Sequence, residues 1–91
     1  MPSIRIPTPL RTYTNGQTEV FVTGDTVEDA LDNLMIIYPA LRSQLFSTEG
    51  KLRPFVNLFL GEENVRDLQQ EMQTNLAEGD RLLLIPSIAG G

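Results

Sequence analysis

An α+β domain, with a mixed sheet of four to five strands packed on one main helix, is predicted from three observations. "SIRIP", "TEVFVT", "RPFVNLFL" and "RLLLIP" read as strands, by polar–apolar alternation or by short apolar runs closed by turn formers or proline. "VEDALDNLMIIY" sets Val27, Ala30, Leu31, Leu34 and Ile37 or Tyr38 at helical spacing. The 91 residues are 41% hydrophobic and 21% charged, with no internal repeat, linker or low-complexity tract, which suits a single domain with one core. A lone long helix must bury its stripe against the sheet, and this gives two layers.

Taken in order, Ser3 to Pro7 forms the first strand, with Ile4 and Ile6 facing the core and the proline stopping it. "TPLRTYTNG" carries turn formers, and Asn15-Gly16 suits positive φ. Thr18 to Thr23 is the second strand; Glu19 marks the wet face, so Val20 and Val22 point inward. Thr26 caps the helix, with Asp29 three residues on in the manner of a capping box. Glu28 and Asp29 complement the positive end of the helix dipole. Pro39 ends the helix at Tyr38.

Leu41 and Leu45 belong to a short helical turn tucked beneath the sheet edge, and a loop follows around Gly50. In the third strand Val56, Leu58 and Leu60 share one face while Phe55, Asn57 and Phe59 share the other, which the asparagine makes the wetter. Gly61 to Asn64 is a turn, "NVR" a brief edge strand, and "DLQQEMQTNL" holds a short helical turn. Ala77 to Asp80 turns the chain into the last strand, Arg81 to Pro86.

Charge and composition exclude much of the chemistry open to small proteins. Seven Lys and Arg against twelve Asp and Glu give a net charge of −5, which repels phosphate backbones and anionic lipid heads; no nucleic acid and no membrane partner are expected. Without cysteine or histidine there are no disulfides, thiolate nucleophiles, imidazole bases or usual zinc ligands. No apolar run approaches the roughly 20 residues that cross a bilayer, and "MPSIRIPTPL" lacks a signal peptide's apolar centre, so a cytoplasmic location is expected. The cluster Asp25, Glu28, Asp29 and Asp32 lacks the ligand spacing and glycine of a calcium loop, and capping plus a solvated face accounts for it. Arg42, Lys51, Arg53 and Arg66 are scattered and read as solvated surface.

Two features remain. If Leu82 and Leu84 point inward, Leu83 and Ile85 join Phe55 and Phe59 on the opposite face as an apolar patch of the kind that marks partner surfaces, unless a loop or the chain's own start covers it. The sequence then closes "PSIAGG": an apolar strand, a proline, and a tail of five residues, 87–91, that extended would carry its carboxylate about 16 Å past the domain of residues 1–86. A tip without side chains enters a narrow channel and adopts any φ it meets there. The carboxylate of Gly91 thereby becomes the candidate reactive group, with Gly90 threading behind it.

"TGDTVEDALDNL", "GKLRPFVNLFLGEENVR" and "LAEGDRLLLIPSIAGG" together resemble the ubiquitin-like β-grasp sulfur carriers. These include the small subunit of molybdopterin synthase, the carrier for the thiazole of thiamin and the carrier that feeds a cysteine synthase. The middle segment, "GKL" to "NVR", is most similar to the last. The resemblance implies a protein cosubstrate and not an enzyme, binding no cofactor itself. An E1-like activating enzyme would use MgATP to adenylate Gly91, and a sulfur donor would displace AMP to leave a thiocarboxylate. A sulfur-accepting enzyme, a cysteine synthase homologue or a molybdopterin synthase large subunit, would take the sulfur. By position, Phe59 and Ile85 would contact the activating enzyme, and Ser87, Ile88 and Ala89 would guide the tip. A protein modifier conjugated through Gly91, and a binding module whose Gly-Gly is incidental, are the alternatives.

Overall fold

A computed structural model describes residues 1–86. Ser87, Ile88, Ala89, Gly90 and Gly91, expected as the tail, lie outside the described residues. Five strands form one sheet: β1 (Ser3–Arg5), β2 (Glu19–Phe21), β3 (Val56–Leu60), β4 (Glu63–Asn64) and β5 (Arg81–Pro86). Their order across the sheet is β2-β1-β5-β3-β4, with β1 and β5 parallel and every other pair antiparallel. The strand with the longest apolar run, β5, therefore takes the centre, where both of its edges find partners.

Helix α1 (Val27–Ile37) packs against one face of this sheet. The Thr26 hydroxyl accepts the Asp29 N–H at 3.2 Å, the expected N-cap, and the helix stops before Pro39 as expected. Its buried stripe is Val27, Ala30, Leu31, Leu34 and Met35. Of the alternatives Ile37 and Tyr38, the structure selects Tyr38, half-buried against the core, and leaves Ile37 exposed. At about 100° per residue Met35 and Ile37 flank the same stripe on opposite sides. The Met35 flank is roofed by neighbouring chain, and the Ile37 flank lies in the last turn of the helix.

The connections differ from expectation in detail. "TPLRTYT" forms a 3₁₀ helix over Thr8–Thr14, begun by the prolines and closed by Asn15 at φ 55° and Gly16 at φ 82°. After α1, a 3₁₀ turn (Pro39–Leu41) runs into the single-turn helix α2 (Arg42–Leu45), and Leu41 and Leu45 are fully buried. The edge strand is Glu63–Asn64 and not "NVR": Val65–Asp67 is already a 3₁₀ turn, capped by the Asn64 side chain, and a second one follows at Glu71–Gln73. The turn into β5 is fastened by Asp80, whose carboxylate accepts the Ala77 N–H at 2.7 Å.

Ile4, Ile6, Leu31, Leu34, Leu58, Leu82 and Leu84 are all buried to 1% exposure or less and form the centre of one contiguous core. Val20 and Val22 point inward as expected. Leu60, assigned to the same face as Leu58, is half-buried where the sheet narrows to the two-residue β4.

Candidate functional site

The pleat of β5 sends Leu82 and Leu84 into the core and Leu83 and Ile85 out through the opposite, helix-free face. Register supplies their neighbours. Phe59 of β3 stands beside Leu83, and Asn57 beside Ile85. Leu83 and Phe59 are half-buried and Ile85 is 40% exposed, so neither a loop nor the start of the chain closes over this patch. Phe55, also 40% exposed, sits in the turn before β3 and is not held by the strand's pleat, as had been expected. The patch leads directly to Pro86, after which come Ser87 to Gly91.

Asn57 is half-buried on the outer face, and its side-chain oxygen is engaged by neighbours. Its Oδ1 accepts from Arg66 Nη1 at 2.9 Å and from Asn64 Nδ2 at 3.4 Å. Arg66 also donates to the carbonyls of Arg53 at 2.8 Å and Pro54 at 3.3 Å. One guanidinium thus pins the stretch from Arg53 to Asn57 against the segment after β4, and this fixes the margin of the patch. Arg66 is exposed, as its reading as solvated surface expects, but sequence reasoning missed the clamp that its guanidinium forms. Its acceptors lie 9 to 13 residues earlier in the chain, and no local pattern signals such a pairing.

At the other end of the same face, the Ser3 hydroxyl donates to Glu19 at 2.7 Å, and Arg81 Nε lies 3.6 Å from the same carboxylate. Arg5 projects between these groups and Leu83, its register partner on β5. Among the described residues no group of three or more acidic or other metal-ligating side chains is arranged to hold a metal ion. The face is equipped to bind and to orient, with the reacting atom expected elsewhere. A cleft of about 370 Å³ lies on the helix side, lined by Leu58 and Val65 and, at the sheet edge, by Asn64 and Arg66.

The model of the ThiS family matches residues 4–91. The chain belongs to the ThiS family. Among ThiS-family relatives, the sulfur carrier protein CysO of Mycobacterium tuberculosis (strain ATCC 25618 / H37Rv) is 36% identical over 91 residues, 98% of this chain and 97% of that one. The CysO chain in a crystal structure of the Amycolatopsis orientalis BexX/CysO complex superimposes with a TM-score of 0.88 at 32% identity, covering 100% of both chains. Small archaeal modifier protein 1 of Haloferax volcanii is 38% identical over 73 residues, 79% of this chain and 78% of the relative. Its crystal structure gives a TM-score of 0.80 at 32% identity, over 99% of this chain and 98% of that one. The five-stranded mixed sheet with its crossing helix is the ubiquitin-like β-grasp fold of these carriers and modifiers.

Proposed function

We propose that this ThiS-family chain carries sulfur on its last residue. The Gly91 carboxylate attacks the α-phosphorus of MgATP in an E1-like enzyme, pyrophosphate leaves, and an acyl-adenylate forms. A sulfide-equivalent nucleophile then attacks the carbonyl carbon and expels AMP, leaving a thiocarboxylate that donates its sulfur to an acceptor enzyme. Activation is needed because an unactivated carboxylate would have to expel oxide. Phe59 and Ile85 dock the activating enzyme while Ser87, Ile88 and Ala89 lead Gly90 and Gly91 into its channel. MgATP is the activating enzyme's, and this chain binds no cofactor of its own. The observation carrying this reading is the whole-chain similarity to a protein named as a sulfur carrier.

Within sulfur transfer, cysteine synthesis is the preferred destination, because CysO is the name of a relative 36% identical over 98% of this chain; molybdopterin comes next and the thiamin thiazole last. In mass spectrometry of the protein incubated with its activating enzyme, ATP and sulfide, the expected product has one oxygen of Gly91 replaced by sulfur. Unchanged mass with an enzyme shown to be active overturns the reading. The similarity to a modifier protein favours one alternative, conjugation of Gly91 to lysines of other proteins. Isopeptide-linked species carrying the Gly91 remnant in a tryptic digest of cells would be its signature.

A further inference from the structure

The charges on the outer sheet face are distributed unlike those on the rest of the molecule. Reading the register across that face gives one row of Phe21, Ser3 and Arg81, a second of Glu19, Arg5, Leu83, Phe59 and Asn64, and a third of Ile85 and Asn57. Leu83 is at the centre. Arg5 flanks it on β1, Arg81 lies two residues before it on β5, and the Arg66 guanidinium closes the far side through Asn57. Two of the chain's seven cations, Arg5 and Arg81, stand in these rows and a third, Arg66, reaches their margin, whereas among its twelve acidic residues only Glu19 stands in them. Glu19, only 21% exposed, lies 3.6 Å from Arg81 and offsets one of these three positive charges, while Arg81 itself is 72% exposed. Arg5 is exposed and has no ion-pair partner among the described residues, and Arg66 spends its donors on carbonyls and an amide, so both charges stay uncompensated.

We infer that the partner surface recognised by this face is a protein patch with an apolar centre for Phe59, Leu83 and Ile85 and a rim of carboxylates opposite Arg5, Arg81 and Arg66. This rests on the reading above that the activating enzyme docks here, and it adds the chemistry of that enzyme's docking site. An apolar centre with a charged rim is the anatomy of a specific protein contact, in which the rim sets orientation and encounter rate. A polyanion such as nucleic acid would meet the cations but gain nothing from the apolar centre, and the net charge of −5 would repel it. The same net charge would also oppose an acidic partner arriving in any other orientation, so a local cationic ring would select one approach.

Arg5→Glu is the test, because the side chain is exposed and makes no internal ion pair. Lys51→Glu, in the loop near Gly50, makes the same change in net charge away from the face and serves as control. With the cognate activating enzyme in about 50 mM NaCl, Arg5→Glu is expected to raise the KM for the carrier in adenylation about tenfold, with kcat little changed. The gap should shrink to about threefold or less near 500 mM, where charges are screened beyond about 3–5 Å. Lys51→Glu is expected to behave as wild type within about twofold. Equal KM values for Arg5→Glu and wild type at low salt, or equal losses in both variants, overturn the carboxylate rim. Failure of the wild-type protein to be adenylated at all would instead overturn the docking reading on which the rim rests.

Discussion

Leu58 and Phe59 are adjacent on β3 and point to opposite sides of the sheet, so a single substitution at each separates folding from docking. Leu58 is 1% exposed and stands beside Leu84 of β5 on the core face of the sheet. Leu58→Asp buries an unpaired carboxylate there and is expected to cost several kcal/mol, enough to unfold a small domain. Phe59 is only half-buried, and Phe59→Asp leaves the charge within reach of water; the domain should stay folded at a loss of about 1 kcal/mol while binding to the activating enzyme weakens tenfold or more. Circular dichroism through a urea titration, beside a binding isotherm, checks both, and a Phe59→Asp variant that unfolds would reverse the assignment of faces. Gly24 gives a third residue-scale prediction. A Cβ there would lie 2.7 Å from Ala30 N and 2.9 Å from its Cα, backbone atoms held within the first turns of α1. Gly24→Ala should therefore destabilise by about 1–3 kcal/mol, read in the same titration as a lower midpoint with an unchanged slope.

At the scale of elements, what the sequence disclosed is what depends on neighbours close in the chain. Pro86 and the Asp80 turn bound β5 as expected, Thr26 caps α1, and Pro39 stops it. Thr26→Ala should cost about 1 kcal/mol by orphaning the Asp29 N–H, measured as a fall of several degrees in the thermal midpoint. Expectation failed where the decision is made by chain far away. Met35, which the helical spacing does not single out, is buried because another segment packs over its flank of the stripe. The docking patch was half legible for the same reason. The alternation of β5 and β3 exposes Leu83, Ile85 and Phe59 without further information, but Arg66 reaches its acceptors only once β3 and the segment after β4 are folded together. Losing that clamp in Arg66→Ala should let the amides of residues 55–57 exchange faster in deuterium while those of β5 keep their protection.

Across the whole molecule, the outer sheet face is locally cationic while the chain as a whole is acidic, and this makes salt act in opposite directions on folding and on docking. The sheet face holds Arg5 and Arg81, with Arg66 at its margin and one glutamate beside Arg81, whereas Asp25, Asp29 and Asp32 line a notch at the start of α1 on the helix side, with Glu28 nearby. Like charges so gathered repel in the folded state, and with a net charge of −5 the repulsion exceeds what the scattered cations relieve. The exposed ion pair of Arg81 with Glu19 contributes little against it, since Arg81 is 72% exposed. Added NaCl screens this local repulsion together with that of the excess of acidic over basic residues in the whole chain. Between about 20 and 300 mM NaCl the thermal midpoint should therefore rise by about 2–5 °C. Over the same range the association rate with the activating enzyme should fall, since the arginine ring is screened along with the carboxylates it meets. A midpoint that drops with salt would mean that the chain's opposite charges attract more than its acids repel, and that the cationic face also stabilises the fold. In that case Arg5→Glu would lower the midpoint as well as weaken docking, and the two measurements on one variant decide between these balances.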